Sequence, residues 1–248
     1  MKILLPPSET KREGGSGAPL DAASLSLPAL TSRRLAVLDA LTALAEDEEA
    51  AQRVLKLSPR QRGDIAHNRN LRAAPTMPAV DRYTGVLYDA LDAESLSAAS
   101  RRWLGSHVWI HSAPLGPIGA LDSLPMYRLA AGTSLPGVAP LRRHWDAATT
   151  AAIDEEAPSF VLDLRSEAYV ALGSIPATVP SAYVKVVTEH GRALNHFNKK
   201  SKGLLVRALA DDRPRIDSLR QFRGWAQRHN LLFREGDTQG VLEFVVEG

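Results

Sequence analysis

Lys2-Ile3-Leu4-Leu5-Pro6-Pro7 is the stretch on which the fold turns. Its apolar run reads as a short strand, and two prolines, which have no N–H to give a ladder, stop it. Residues 8–30 read as loop, broken by Gly14-Gly15-Ser16-Gly17 and Pro19. A helical period follows, with Thr31 or Ser32 as cap and Leu35, Leu38, Leu41 and Leu44 as apolar positions. Further helices are expected over 48–57, from Ser58-Pro59 through Ile65 towards Leu71, and after 81–88. Others fall over 97–104, 138–154 and 200–209, and from Asp217-Ser218 to near Asn230. Strands are expected at 108–111, 160–162, 183–188 and 193–197, while 231–233 and 241–246 read as a hairpin around Gly236 and Gly240. Residues 114–140, rich in Gly and Pro, are expected to be irregular. Strands and helices are interspersed, so the class is α/β or α+β, a mixed sheet with surrounding helices. Without a repeat or a linker-like segment, residues 1–248 read as a single domain.

At 44% hydrophobic and 23% charged, the chain has ample apolar material for a core, which excludes disorder throughout. No stretch reaches the roughly 20 apolar residues that span a bilayer, and the N-terminal run is too short for a signal peptide. The expectation is a cytoplasmic protein with no membrane partner. The absence of cysteine removes disulfides, thiolate metal sites, iron–sulfur clusters and thiol switches. No metal site and no cofactor are expected either. The seven His are scattered, and His107 and His111, read on one strand, would lie about 13 Å apart at ~3.3 Å per residue.

Thirty basic residues against 28 acidic ones leave a net charge of only +2, so distribution says more than total. Residues 185–235 carry 12 Lys/Arg and five Asp/Glu, a local net of +7. Residues 53–72 carry six basic and one acidic residue, a local net of +5. Such asymmetry fits a face that attracts polyanions; it also fits two solvated helical faces.

No GxxxxGK[ST], GxSxG, HExxH or GxGxxG motif is present. Lys199-Lys200-Ser201-Lys202-Gly203 stands where a strand is expected to pass into a helix, an arrangement suited to phosphate. Tyr127-Arg128, in a Gly/Pro-rich loop, offers a guanidinium fork to phosphate or carboxylate, or serves as scaffolding against Asp122 or Glu167. Ser166 follows a buried strand and either caps a helix or joins a site. Sites in α/β folds assemble at strand-end loops, and four such loops hold polar residues: 8–11, Ser112, 166–169 and 199–202.

Several segments, in order, are similar to the YaaA family of bacterial peroxide-stress proteins. They are Ile3-Leu4-Leu5-Pro6-Pro7-Ser8-Glu9-Thr10-Lys11, Tyr83-Thr84-Gly85-Val86-Leu87-Tyr88, Ser112 to Gly116, Leu121-Asp122, Pro125 to Leu129 with Gly132, Trp145, Leu164 to Tyr169, and Lys199 to Leu204. Pro7 and Glu9 depart from the small residues usual in the opening turn, and His111-Ser112-Ala113-Pro114 from the usual Ser-Gly-Leu-Tyr run. The resemblance implies one α/β domain of unusual topology with a helix-hairpin-helix element. It also implies roles in peroxide survival, in limiting free iron and in binding duplex or branched DNA. The hairpin would fall on 48–57, Ser58-Pro59 and the following helix, with Arg53, Lys56, Arg60, Arg62, Arg69 and Arg72 as its DNA-facing charges. Its turn lacks paired glycines, since Gly63 lies beyond it.

Two functions follow. In the first, the protein binds DNA largely through phosphates and limits iron-dependent oxidative damage. In the second, it is an enzyme acting on a nucleotide-like or phosphorylated small molecule. The pocket would be built from Ser8, Lys11, Tyr88, Ser112, Tyr127, Arg128, Ser166, Tyr169, Lys199, Lys200 and Lys202. A lysine of lowered pKa would serve there as base or nucleophile, but no residue has an assigned catalytic role. Without cysteines or a His/carboxylate cluster, any effect on iron is expected to be indirect.

Overall fold

The structure, a computed structural model, describes residues 1–189 and 195–246, and of residues 195–197 the backbone alone. The chain begins with β1 (Lys2–Leu5), α1 (Thr31–Leu44), α2 (Glu48–Val54), α3 (Asp64–Arg69), β2 (Met77–Pro78), α4 (Ala79–Arg82) and α5 (Val86–Leu91). It continues through α6 (Ala98–His107), β3 (Val108–Ser112), β4 (Gly116–Gly119), β5 (Ser123–Leu124), α7 (Leu141–Glu156), β6 (Val161–Asp163) and α8 (Glu167–Val170). β7 (Ser181–Thr188), α9 (Asn195–Asp212), α10 (Leu219–Arg228), β8 (Leu232–Glu235) and β9 (Val241–Val246) complete it.

The main sheet has the order β4-β3-β1-β6-β7-β9-β8. Its five inner strands are parallel, and an antiparallel strand closes each edge. β1 therefore lies inside the sheet, with Leu4 opposite Trp109 on one side and Asp163 on the other. Ile3, Leu4 and Leu5 are fully buried, as expected of a parallel strand covered on both faces. Each stabilises the fold by roughly 1.5–3 kcal/mol. From β1 the chain reaches β3 on one flank and then returns past β1 to β6 on the other. Strand order thus reverses at β1/β6, the kind of place where open α/β sheets bind ligands beyond their strands' carboxyl ends.

The Gly/Pro-rich stretch is less irregular than expected. It holds β4, paired with β3 at the sheet edge, where Pro117 does least harm, and β5, paired with β2. Two buried arginines hold the surrounding loops. Arg34 donates to Leu115 O (2.9 Å), Pro117 O (2.9 Å) and Ser26 O (2.6 Å), and Arg82 to Leu124 O (3.1 Å) and Gly14 O (2.9 Å). Carbonyls that no ladder pairs find donors in these forks.

Several local expectations are corrected. α1 buries Arg34, Val37, Leu38 and Leu41 and leaves Leu35 exposed; Thr31 does not cap it, because its hydroxyl donates to Pro28 O (2.7 Å). His107 ends α6, where its ring stacks on Trp103 at 4.2 Å, so it does not share a strand with His111. The helix expected to start at Ser58-Pro59 is a single 3-10 turn (Pro59–Gln61) before α3. The strand expected over 193–197 falls in part outside the described residues, and from Asn195 the chain is helical.

That early start places Gly203 in the middle of α9, against α5. A Cβ there would lie 2.2 Å from Leu87 O and 2.9 Å from the Ala90 Cβ. Gly203→Ala is expected to lose about 1–3 kcal/mol of stability by forcing the helices apart. That outweighs the ~1 kcal/mol that Ala normally gains over Gly in a helix. The urea midpoint measures it, and an unchanged or raised midpoint would show that the contact is loose.

Candidate functional site

The loops leaving β1, β3 and β6 meet at the carboxyl end of the sheet and bring two groups of polar side chains together. The first gathers around Lys11. Lys11 pairs through its backbone with Tyr83, and its Nζ donates to Ser8 O (3.1 Å) and Glu9 O (3.2 Å). The same Nζ lies 4.2 Å from the Tyr127 ring centroid and 5.6 Å from that of Tyr83. No carboxylate lies within ion-pair distance of it among the described residues. Burial, reinforced by the Arg128 charge, lowers its pKa to about 7, with Glu9 and Asp64 pulling the other way.

Buried hydroxyls line this group. Tyr83 and Tyr127 share a hydrogen bond of 2.8 Å, Ser112 Oγ donates to the Tyr127 oxygen at 3.2 Å, and Tyr88 donates to Pro6 O at 2.7 Å. Burial raises the pKa of all three tyrosines, so they stay protonated. Ser8 Oγ bonds Thr10 Oγ1 (3.2 Å), which donates to Thr84 O (3.2 Å). Gly85 follows with φ +93, and a Cβ at this position would stand 3.1 Å from Thr10 Oγ1.

Arg128 is held by neither Asp122 nor Glu167. Its guanidinium lies 3.7 Å from Glu9 and 3.9 Å from Asp64, both loose contacts, and its backbone is fixed by Asn68 (2.7 and 2.9 Å). Asp122 instead accepts from Ser26 N (2.7 Å) and Gly119 N (2.8 Å).

The second group centres on Arg165, which is fully buried. It donates to both Asp163 oxygens (2.9 and 2.6 Å), to His111 Nδ1 (2.9 Å) and to Gly173 O (2.9 Å). Burial and the Arg165 charge push the His111 pKa well down, so the imidazole is neutral. The Tyr169 ring lies 5.9 Å from that of His111. Lys202, buried on α9, approaches the Tyr183 ring at 5.7 Å, and its pKa falls to about 8 through burial, partly offset by Asp163.

Ser8, Lys11, Tyr88, Ser112, Tyr127 and Arg128 are thus brought together, with Tyr169 and Lys202 at the second group. Lys199 and Lys200 are corrected: in the second turn of α9 they are exposed and away from the helix N-terminus. Ser166 is exposed at the start of α8, where its carbonyl, not its hydroxyl, accepts from Tyr169 N (2.9 Å) and Val170 N (3.0 Å). The sequence marks Tyr83 and Arg165 only as parts of family-like segments, His111 only as a metal candidate and a departure from the family run, and Asp163 not at all. One signal was available: Asp163 and Arg165, two apart after an apolar strand, point the same way.

Half of the basic residues in the segment 53–72 are ion-paired. Arg62 pairs with Glu48 (3.2 Å), Arg69 with Glu48 (3.5 Å) and Glu46 (3.9 Å), and Arg72 with Asp39. Arg53, Lys56 and Arg60 are exposed, with no acidic partner among the described residues. α2 and α3 touch across residues 55–63, which contain the 3-10 turn. Among the described residues no three His, Asp or Glu side chains are grouped to hold a metal, and no helix is long and apolar enough to cross a membrane.

A family model described as "Peroxide stress protein YaaA" matches residues 1–234. A UPF0246 protein of Streptomyces coelicolor is 44% identical over 214 residues, covering 84% of this chain and 82% of the relative. One of Corynebacterium glutamicum is 42% identical over 241 residues, 95% of each chain. An uncharacterized protein of Campylobacter jejuni is 26% identical over 208 residues, 83% of each chain.

Proposed function

Since the chain belongs to the family of the peroxide stress protein YaaA, we propose that it serves peroxide defence by taking a small phosphate-bearing molecule into the crevice at the carboxyl ends of β1, β3 and β6. The observation that carries this reading is Lys11: a partly buried amine without a carboxylate partner among the described residues, beside an Arg128 whose two carboxylates sit at 3.7 and 3.9 Å. An anionic group placed there would gain charge-assisted hydrogen bonds from both. The Tyr127 and Tyr83 rings lie against the amine, which, neutral in part near pH 7, is available as base or nucleophile. Isothermal titration of the full chain with orthophosphate and ribose 5-phosphate tests the reading. Saturable binding that weakens with salt is expected; no heat and no rise in Tm with either probe overturns it.

A second reading, phosphate-directed binding of DNA by a helix-hairpin-helix, is favoured by one observation: the exposed Arg53, Lys56 and Arg60, which have no acidic partner among the described residues. It expects DNA affinity that falls steeply with salt. Reversing these three to Glu would cut affinity by at least about tenfold and flatten the salt slope, with the melting temperature unchanged. Fluorescence anisotropy against duplex and branched DNA reads this out, and an unaltered slope removes the hairpin from the account.

A further inference from the structure

His111 is fully buried near the end of β3 and meets Arg165 across the end of β1, at the carboxyl end of the sheet. Arg165 has its other donors on Asp163, Gly173 O and, at 3.4 Å, Tyr169 O, so its Nη1–H fixes His111 Nδ1 as an acceptor. The proton of the neutral ring must then sit on Nε2. That atom is buried and has no hydrogen-bond partner among the described residues. A buried N–H donor left unpaired forfeits its hydration with nothing in return, and such groups in native folds mark a site or a bound water. Arg34 Nη1, Thr149 Oγ1, Asn198 Oδ1 and Arg223 Nε are also unpaired among the described residues, but they belong to α1, α7, α9 and α10 rather than to a strand end.

We propose that His111 Nε2–H is a ligand-binding donor that receives an uncharged acceptor oxygen, a carbonyl or hydroxyl, of the phosphate-bearing molecule. This rests on the reading above and adds a second point of attachment to it. The charges divide the labour. Arg165 is already balanced by Asp163, so a neutral N–H beside them suits an uncharged oxygen, whereas the phosphate belongs with Lys11 and Arg128. A neutral imidazole held in one tautomer by its own hydrogen bond is a preorganised donor that binds without reorganising.

The experiment uses the full chain with 15N-labelled histidine, titrated with ribose 5-phosphate and with uridine 5′-monophosphate. The imidazole Nε2–H resonance of His111 is expected to move on saturation by whichever probe binds. His111→Leu should weaken binding about tenfold or more, while His111→Gln, which restores an N–H near the same place, should bind within about threefold of the parent. If a probe binds but the resonance stays fixed and His111→Leu binds normally, the inference fails and the crevice reading survives; Nε2 then serves a trapped water. If neither probe binds, the crevice reading fails and this inference with it. Should His111→Leu not fold, the resonance of the unmutated chain decides alone.

Discussion

Arg165→Met is expected to lower the unfolding free energy by about 3–5 kcal/mol, the usual consequence of removing one partner from a buried ion pair. The guanidinium is fully buried and Asp163 is 4% exposed. Without Arg165 the carboxylate keeps its two oxygens but loses their 2.9 and 2.6 Å donors, and Gly173 O and His111 Nδ1 are left unpaired as well. The nearby Lys202 charge offsets part of this at longer range. Urea unfolding at pH 7 measures the loss. Adding Asp163→Leu should recover much of it, because a neutral apolar pair of similar volume is often as stable as the ions it replaces. A single-variant loss under about 1 kcal/mol would mean that water reaches Asp163 and that the second group is not the closed unit described above.

Lys11→Met is expected to act in opposite directions on binding and on stability. Orthophosphate and ribose 5-phosphate binding should fall at least about tenfold, since a charge-assisted bond of about 1.5–3 kcal/mol is lost. Stability near pH 6–7 should rise, at the lower end of the about 1–4 kcal/mol seen when a buried charge gives way to a packed side chain. The direction follows from linkage. The folded Lys11 pKa, about 7, lies below its unfolded value of 10.5, so between those pH values the unfolded chain binds more protons and stability climbs with pH. The variant lacks this climb, so its advantage over the parent should shrink from pH 7 towards pH 10. Binding by the parent should weaken over the same range as the amine loses its proton. Parallel pH profiles that never converge would place the Lys11 amine in water rather than against Tyr127.

Much of the fold was legible. Apolar runs bounded by Pro or polar residues located β1, β3, β6 and β7, and Gly236 and Gly240 marked the antiparallel turn between β8 and β9. Ser97 and Ser218 cap α6 and α10 through Ser100 N (3.1 Å) and Gln221 N (3.3 Å), in line with the start signals. β4 was hidden because Gly116, Pro117 and Gly119 are breakers by themselves; only the edge of β3 makes a strand of them. The site was half legible. Strand-end loop positions pointed to Ser8, Lys11 and Ser112, and the Tyr-Arg pair in a Gly/Pro-rich loop to Tyr127. His111 and Arg165 were not, because their roles depend on each other across 54 residues of chain, and an arginine by itself reads as surface. Lys199, Lys200 and Lys202 looked equivalent in the sequence. Only the start of α9 decides that Lys202 shares its buried side with Leu205, Val206 and Leu209 while the other two meet solvent.

The interior position of β1 also sets a timetable. Ile3 pairs with Val108 and Lys2 with Val161, so the strand made first waits for partners 105 and 159 residues later. At ~5–20 residues per second of synthesis, that is roughly 8–30 s before the second partner emerges. Until β3 emerges Ile3-Leu4-Leu5 has no ladder to join, and until β6 follows only one of its edges is paired, so the sheet closes around it late, with the slow kinetics of long-range parallel pairing. The same strand whose loop carries Ser8 and Lys11 is therefore an exposed, chaperone-accessible segment in the nascent chain. The loops leaving β1, β3 and β6 cannot meet until Asp163, the last residue of β6, has been made.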